Sequence, residues 1–543
     1  MGTARTGNRA RRFEIVDDPP RCGEKNGVAA REGDDVMTTR LGAAAAIAAV
    51  IALLGTQDAW AGKADDTLNI AWDQPVDNVD AYFNTNREGI LIARMVWDNL
   101  VERDPDTFQY KPSLATSWRW VDDVTLDFDL RKGVKFTNGD SFDADDVVYT
   151  LNFVSDPKNK ALNQTNVGWI KHVEKLGPYK VRIHLKAPFP AALEFISGPL
   201  PIYPHKYYAE VGPQGMGHKP IGSGPYKITS VEPGKEIVFE KNTQYWEGSP
   251  RGKPHIGKIV QRTIPEKTTQ IAELLSGGLD WMWYVPPDQV DKIKAVPGIV
   301  TSAGETMRVG YLYFDSSGRS GKSPLQDVRV RRAIAHSIDR EEFAKVMYGG
   351  ESKVLKAPCF PTQFGCYQGA PQYDFNVAEA KKLMAEAGYA KGFKTELYAF
   401  RLPRQMEDAL GGYMRAIGID ASIQVLQYPA FRDKNHAGVT PISFGDWGSY
   451  SINDVSAILP NFFGGTPDDF AQDKEVQAWL KEAGSTTDKA KREEDYKKAI
   501  TRIMDQMYWL PLNSYNIFYA YTKDLNFKSY RDEIPRYYLY SWK

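Results

Sequence analysis

The sequence predicts an α/β protein with more than one domain. Segments with the two-residue periodicity of strands alternate along the chain with segments whose apolar residues recur at helical spacing. The chain has 543 residues, which is more than a single hydrophobic core usually organises. No tandem repeat, low-complexity block or proline-rich linker divides it. We therefore expect domains joined by strands that cross between them.

The spacing of apolar residues places the strands and helices in order. Strands are predicted at 68–72, 125–136, 280–285, 308–314, 394–400 and 421–427. Helices are predicted at 87–104, 143–154, 267–277, 327–350, 377–387, 405–417 and 490–507. In the second strand Leu126, Phe128 and Leu130 alternate with charged residues, which is typical of a strand with one solvated face. The aromatic segment 508–522 is predicted to be extended.

Two of the helices carry further local predictions. Ser141 is the expected N-cap of the helix 143–154, whose early acidic residues suit the positive end of the helix dipole. In the helix 327–350, apolar residues recur on one side at helical spacing. The basic residues between them are expected to form the solvated face: Arg329, Arg331 and Arg332.

Acidic and basic residues are balanced. Lysine and arginine number 68 against 69 aspartate and glutamate residues, for a formal net charge of −1, so no basic surplus indicates a nucleic-acid or anionic-lipid partner. Hydrophobic residues make up 42% of the chain, which is typical of a folded globular protein and not of a disordered one.

Residues 37–61 are predicted to be a cleavable secretory signal. A basic start at Met37 is followed by an apolar run at 41–54 and by a small-residue cleavage site. The apolar run is shorter than the roughly 20 residues that span a bilayer, so a retained anchor is the less favoured alternative. Residues 1–36 are then a non-native or unstructured leader, with Met37 as the initiator.

The predicted cleavage site sets the expected location of the mature protein. The mature chain starts near Gly62, and the residues at the cleavage site include no cysteine that could accept a lipid. We therefore expect a freely diffusing, exported protein that resides in the periplasm.

The cysteines predict one disulfide. Cys22 lies in the leader, which leaves Cys359 and Cys366 as an even pair in an exported chain. In an oxidising compartment such a pair is expected to close the short loop between its members. Two free thiols are the alternative.

Sequence signatures of catalysis are lacking. Residues 321–323 end like a phosphate loop but lack the glycine-rich cradle before them, and residues 222–224 form neither a dinucleotide nor a nucleophile turn. None of the seven histidines stands three or four residues from another, so no metal site is predicted, although spacing does not reveal ligands from distant segments. We expect a protein that is not an enzyme and needs no cofactor. An exported hydrolase using scattered carboxylates is the alternative.

Several segments resemble one known family. The most specific is LATSWRWVDDVTLDFDLRKGVKFTNGDSFDADDVVYTLNF at 114–153. Supporting segments follow in the family's order at 221–228, 239–248, 274–280, 325–340, 373–389 and 418–420. On these motifs the chain resembles the family 5 extracellular solute-binding proteins, the peptide-type receptors of ABC importers.

The resemblance implies a two-lobe, type II-like periplasmic-binding-protein fold of the large peptide-type class. Its hinge strands cross between the lobes near 308–314 and 508–518. Lobe I then comprises 62–314 and 509–543, with an inserted subdomain, and lobe II comprises 315–508. A ligand that contacts both lobes favours the closed state. The implied function is that of a monomeric receptor that delivers peptide-like solutes, unaltered, to the permease subunits of an ABC importer.

The resemblance also implies a residue for the ligand's carboxylate. In dipeptide-binding relatives an arginine pairs with that group, and the position corresponds here to Arg401 or Arg404. A bidentate guanidinium suits a carboxylate. The alternative is that both are surface charges at the start of a helix.

The amine-binding position departs from the family's pattern. Relatives place an aspartate three residues after a tryptophan, which matches Trp447, but the third residue after it is Tyr450. Because a buried ammonium needs an anionic partner, either Asp446 or Asp454 substitutes or the ligand lacks the amine. The second case predicts an opine, a glycoside or a metal chelate. Core or hinge packing is the alternative use of Trp447 and Tyr450.

The aromatic strand at 280–285 contains a second candidate pair. Trp281 and Trp283 stand two residues apart, so both face the same side of the strand. Burial in the core is their predicted role.

Overall fold

The computed structural model describes residues 62–84, 87–162, 164–347, 352–400 and 402–543. The predicted leader and secretory signal, and the candidate ligand residue Arg401, lie outside the described residues. Within these ranges, no helix combines the length and the apolar character needed to cross a bilayer.

The strands of the described chain alternate with helices, as the periodicity predicts. They are β1 (Thr67–Trp72), β2 (Val101–Arg103), β3 (Tyr110–Pro112), β4 (Ala115–Asp122), β5 (Thr125–Leu130), β6 (Ile170–Gly177), β7 (Lys180–Leu185), β8 (Tyr226–Glu232), β9 (Glu236–Lys241), β10 (Lys258–Thr263), β11 (Trp281–Trp283), β12 (Ile299–Phe314), β13 (Phe393–Phe400), β14 (Ile419–Leu426), β15 (Ile442–Trp447), β16 (Trp509–Thr522), β17 (Leu525–Asn526) and β18 (Ser541–Trp542).

The helices vary from single turns to the long C-terminal helix. They are α1 (Arg87–Val96), α2 (Ala144–Ser155), α3 (Gln164–Val167), α4 (Ala192–Ile196), α5 (His205–His218), α6 (Lys267–Ser276), α7 (Val290–Lys294), α8 (Val328–Ser337), α9 (Arg340–Met347), α10 (Val377–Glu386), α11 (Arg404–Arg415), α12 (Tyr428–His436), α13 (Leu459–Phe463), α14 (Lys474–Ala483) and α15 (Lys489–Asp505).

A ten-stranded sheet organises the protein. Its order is β14-β13-β15-β12-β16-β11-β1-β10-β9-β8. The long strands β12 and β16 pair antiparallel in the middle of this sheet. They contain the two segments in which the sequence predicts that the chain crosses between lobes.

Two large hydrophobic cores lie on either side of β12 and β16. The first draws on residues between 68 and 283 and between 517 and 540. The second draws on residues between 307 and 512, with Phe108 added from the N-terminal half. This distribution of core residues agrees with a chain that is divided into lobes at β12 and β16. The predicted lobe boundaries stay a proposal.

A smaller antiparallel sheet, with the order β4-β5-β7-β6, adjoins the first core. Helix α2 contributes Val147, Leu151 and Val154 to the same core. The predicted N-cap of this helix was wrong, because Asp143 and not Ser141 accepts a hydrogen bond from the first turn and completes a capping box with Asp146.

The helix predicted at 87–104 ends early, at Val96. The Gly224 N–H donates to the Val96 carbonyl at 2.8 Å, and the Arg251 guanidinium donates to the carbonyls of Arg94 and Trp97 at 2.8 and 2.6 Å. These distant residues satisfy the carbonyls that a helix end exposes. Local periodicity cannot reveal such a stop, and the chain continues into β2.

The helix predicted at 327–350 is also interrupted. Helix α8 ends at Ser337, and Asp339 accepts a hydrogen bond from the Glu342 N–H at 2.9 Å at the start of α9. The solvated face predicted for its arginines was wrong for Arg331, which is 2% exposed. Its guanidinium donates to the carbonyls of Leu325 and Gln506, both at 2.7 Å.

Candidate ligand-binding cleft

The pairing of β12 with β16 is irregular at one point. The register shifts between Glu305 and Val309, and again between Val309 and Tyr311. At the first shift the Thr306 hydroxyl donates to the Tyr515 carbonyl at 2.8 Å. An irregularity of this kind bends a strand pair and breaks its ladder. It therefore marks the natural hinge between the two cores.

Arg308 lies at this hinge and connects both sides of it. Its Nε and Nη2 atoms donate to Glu533 Oε1 and Oε2 at 3.2 and 3.1 Å, and its Nη1 donates to Asp446 Oδ1. Asp446 belongs to β15, whereas Glu533 belongs to the C-terminal segment, so one guanidinium joins the strand beside the second core to the segment beside the first.

The charges around Arg308 compensate each other. Burial would lower the pKa of Arg308, but the carboxylates of Glu533 and Asp446 raise it above its ordinary value. Burial would raise the pKa of Glu533, but Arg308 and Arg87 hold it below its usual range. Arg87 Nη2 lies 3.2 Å from Glu533 Oε2, and the Arg87 guanidinium stands 5.6 Å from the ring centre of Trp283. The two arginines and Glu533 thus stabilise one another's charged forms at the hinge.

Three residues with left-handed backbone surround these ion pairs. Tyr284 has a φ of 57°, and in the turn after β15 Ser449 and Ser451 have φ values of 50° and 63°. Such conformations cost about 1–3 kcal/mol for residues other than glycine and concentrate at functional sites. Burial raises the pKa of the Tyr284 hydroxyl to about 12, with Arg87 opposing and Glu533 adding to the shift.

An aromatic pocket opens beside Asp446. It leaves about 50 Å³ for the centres of water molecules, which holds a few waters or one small side chain but not a whole peptide. Trp447 and Phe462 meet edge to face at 5.6 Å, and Tyr311 stacks on Trp509 at 3.7 Å. The lining comprises Tyr311, Tyr313, Phe400, Tyr428, Phe431, Arg432, Asn435, His436, Asp446, Trp447, Asn461, Phe462 and Asp468.

The structure brings two of the predicted ligand residues together in this pocket. Asp446 and Trp447 both line it, and Tyr450 follows in the turn Ser449–Ser451. The Asp446 side chain is 9% exposed. Its Oδ1 atom binds Arg308, and among the described residues no donor reaches Oδ2. One carboxylate oxygen therefore has no hydrogen-bond donor within the described part of the chain.

The other predicted residues have different surroundings. Both oxygens of Asp454 accept hydrogen bonds from Arg492 Nη2, at 2.9 and 2.8 Å, and Oδ1 also caps the Ser456 N–H. A ligand ammonium would have to displace Arg492 to reach it. Arg404 begins α11, has a side chain that is 80% exposed, and pairs with Glu407 and Asp408 on its own helix. These contacts agree with the surface-charge alternative for Arg404.

A second set of contacts joins the residues of the two cores. Glu194 accepts hydrogen bonds from the Tyr110 hydroxyl at 2.5 Å, from Arg103, and from the Asn453 N–H at 2.8 Å. The Ser451 hydroxyl donates to the Asp532 carbonyl at 2.6 Å. The turn after β15 is thus bound to residues beside the first core.

Several buried polar atoms near the hinge lack a hydrogen-bond partner within the described ranges. They are Trp283 Nε1, Ser302 Oγ, Ser449 Oγ, Asn453 Oδ1, and both Oδ1 and Nδ2 of Asn516. Buried polar atoms are normally paired, so such a group calls for water or ligand partners. Amide and hydroxyl groups are suited to bind a peptide backbone.

The aromatic strand and the cysteine pair agree with the sequence analysis. Trp281 and Trp283 are 0% and 3% exposed and belong to the first core. The Sγ atoms of Cys359 and Cys366 are bonded, with Cα atoms 5.8 Å apart.

The residues of the hinge are not predictable from local sequence patterns. Arg308 and Glu533 are separated by 225 positions and Glu194 and Asn453 by 259, so no local pattern connects them. The available signal was Arg308, a charged residue at the start of the predicted strand 308–314, whose other residues are uncharged. A charge in such a segment indicates a buried ion pair.

Two α/β lobes around crossing strands, with a cleft at the hinge, define a bilobal binding protein. Residues 109–470 match the family model described as bacterial extracellular solute-binding proteins, family 5 middle. The chain belongs to this family, and it is a solute-binding protein.

The similar proteins match this chain over most of its length. Heme-binding protein A of Haemophilus influenzae is 26% identical over 458 residues, which cover 77% of this chain and 82% of that protein. Glutathione-binding protein GsiB of Escherichia coli is 24% identical and covers 82% of this chain and 88% of that protein. The crystal structure of a dipeptide-binding protein from Pseudoalteromonas in complex with Met-Leu has a TM-score of 0.71 and 22% identity, and the match covers 88% of this chain and 100% of that one. The last comparison shows a common fold.

Proposed function

We propose that this protein is the periplasmic receptor of an ABC importer, which captures peptide-like solutes by lobe closure and delivers them unaltered to the permease. The observation that carries the proposal is the hinge at Arg308, where residues from both lobes meet beside an aromatic pocket. A solute that contacts both sides stabilises the closed state. We further propose that the receptor acts as a monomer.

Asp446 is the proposed partner of the ligand's amino group. It stands next to Trp447 at the pocket, and its Oδ2 atom accepts no hydrogen bond from the described residues. Asp446 thereby takes the role of the aspartate that dipeptide-binding relatives have at the position of Tyr450. Arg401 is the proposed carboxylate partner, while the exposed Arg404 is a surface residue. The small pocket accommodates one ligand side chain.

Thermal-shift and calorimetric titration with di- to pentapeptides test this proposal. Tight ligands stabilise the protein by RT ln(1 + [L]/Kd). We expect Asp446→Asn to raise the Kd for peptides at least about tenfold, since a charge-assisted hydrogen bond is lost. The matched control is Asp420→Asn, whose side chain is 69% exposed, and it should leave Kd unchanged. No shift with any peptide would overturn the peptide proposal.

A non-peptide solute is the second candidate. Tyr450 in place of an acid favours it, and so does the name of one relative, which refers to heme. Native mass spectrometry of protein from its own cells, followed by identification of the released solute, separates the two candidates. Recovery of the solute unchanged would also reject the exported-hydrolase alternative.

A further inference from the structure

Strands β6 and β7 bring three metal-binding side chains to one face of the small sheet. His172 pairs directly with His184 across the two strands. Glu174 stands two residues after His172 and therefore faces the same side. One donor atom from each of the three lies within 4.8 Å of the other two. We propose that His172, Glu174 and His184 form a Zn²⁺ site, separate from the solute cleft.

The geometry needs only side-chain adjustment to bind the ion. The two imidazole rings are 4.3 Å apart and nearly parallel, at 13°, and His184 Nε2 lies 3.1 Å from Glu174 Oε1. Zinc bonds of about 2.0–2.2 Å in tetrahedral geometry place ligand atoms about 3.3–3.5 Å apart. The side chains of His184 and Glu174 are 27% and 43% exposed. Because they are partly exposed, these side chains can rotate until their donor atoms reach the spacing that zinc requires.

The donor set favours zinc over harder cations. Two imidazole nitrogens and one carboxylate oxygen are ligands that zinc prefers, whereas calcium and magnesium require mainly oxygen ligands. Three protein ligands leave the fourth position to water. Because His172 is exposed and the other two side chains are half-buried, that position faces solvent.

The nearby positive charge is already compensated. Arg182 Nη1 lies 4.0 Å from Glu174 Oε1. However, Arg182 Nε and Nη2 bind the two oxygens of Asp127 at 2.6 and 3.0 Å. This two-point attachment fixes the guanidinium and reduces its repulsion of a cation. Held there, Arg182 also helps to orient the Glu174 carboxylate, as outer groups commonly do at metal sites.

A second cluster contains similar residues, but its side-chain atoms already take part in hydrogen bonds. The Asp143 carboxylate accepts a hydrogen bond from the Asp145 N–H in the first turn of α2 at 2.8 Å. The Asp146 carboxylate accepts one from the Asp143 N–H at 2.9 Å. Asp146 Oδ1 also accepts from the His205 N–H at 2.9 Å and lies 2.7 Å from His205 Nδ1. An ion would have to break these bonds. His205 therefore provides a matched control.

Titration calorimetry of the full chain, produced without a polyhistidine tag and stripped with a chelator, tests the site. We expect one Zn²⁺ per chain with a micromolar or tighter Kd. His172→Ala with His184→Ala should raise Kd by at least about a hundredfold, and Glu174→Gln by about tenfold, since ligands are lost. His205→Ala should leave it unchanged. Because imidazole binds metal only when neutral, binding should weaken in acid.

Substitution with Co²⁺ gives a readout that does not depend on stability. The wild type should show the visible bands of a tetrahedral nitrogen-and-oxygen site, and the double histidine variant should lose them. Circular dichroism checks that each variant is folded. An unchanged Kd in the double variant, or no saturable binding at about 1 mM zinc, would overturn the site. Peptide titration of the same variant should be normal, which separates this proposal from the receptor function.

Discussion

Arg308 of β12 and Asp446 of β15 form an ion pair across neighbouring strands, beside the irregular part of β12. The same guanidinium holds Glu533 of the C-terminal segment. Opening the cleft must separate or rearrange these contacts, because they join residues on opposite sides of the hinge. We propose that the stability of the closed state and the response to ligand are coupled at Arg308.

Replacing Arg308 with alanine should lower the free energy of unfolding by about 2–3 kcal/mol. The substitution leaves Asp446 without its charged partner and Glu533 with Arg87 alone. Breaking a buried ion pair from one side costs about 3–5 kcal/mol, and the partial exposure of Arg308, 24%, reduces that figure. Urea unfolding followed by tryptophan fluorescence measures the change.

Arg404→Ala is the control for that experiment. This arginine is 80% exposed, and among the described residues it pairs only with carboxylates of its own helix. Surface pairs of this kind contribute at most about 1 kcal/mol. Equal destabilisation by the two alanine variants would contradict the role assigned to Arg308.

Local periodicity predicted many of the longer elements, but it did not predict which of them long-range contacts would shorten or bury. The strand β13 and the helix α15 lie within two residues of their predicted bounds, whereas β12 begins at Ile299, nine residues before the predicted strand 308–314. The predicted helix 87–104 stops at Val96 because Arg251, far along the chain, binds its last carbonyls. Arg331 is buried for the same kind of reason, since it caps the end of another helix.

Only the residues of the candidate site that lie in or next to a family motif could be predicted from the sequence. Trp447 led to Asp446, one position away, and both line the pocket. The ion pairs of Arg308 combine residues from β12, β15 and the C-terminal segment, so they arise from the fold and not from a sequence pattern. The same applies to His172 and His184, which are neighbours only through the pairing of β6 with β7.

Glu194→Gln should favour the open cleft. The carboxylate binds Tyr110 and Arg103 on one side and the Asn453 N–H on the other. An amide keeps the shape but loses the charge-assisted part of these bonds, which contributes about 1–2 kcal/mol. We expect about a tenfold weaker affinity for the solute and a larger radius of gyration in small-angle scattering.

Glu247→Gln is the matched control, because that side chain is 91% exposed. It should change neither the affinity nor the scattering curve. A Glu194→Gln variant that remains as compact as the wild type, with unchanged affinity, would show that this contact does not hold the cleft closed.

The Cys359–Cys366 disulfide should add about 2 kcal/mol to stability. It closes a loop with a sequence separation of 7, and short loops lie at the lower end of the range for crosslinks. Mass spectrometry after alkylation should find no label on the unreduced chain and two labels after reduction. Substituting both cysteines with alanine should lower the urea midpoint accordingly. Two labelled thiols in the unreduced protein would reject the bond.

Asp80 should make stability depend on pH between about pH 6 and pH 4. It is fully buried and accepts hydrogen bonds from the hydroxyls of Tyr203 and Tyr208, at 2.9 and 2.8 Å, and from the Tyr82 N–H. Burial raises its pKa to about 6, against the opposing effect of these donors. The folded state therefore binds the proton more tightly than the unfolded state. This stabilisation is complete below the ordinary aspartate pKa of about 4 and is lost as the pH rises through about 6.

Asp80→Asn should remove this dependence. The wild type should gain on the order of 3 kcal/mol relative to the variant as the pH falls across the window, since the pKa differs by about two units between the two states. Urea unfolding of both proteins at several pH values measures the difference, and the variant also corrects for every other group that titrates. A difference that stays constant, or that shrinks toward acid, would mean that Asp80 is held ionised in the folded protein by its three donors.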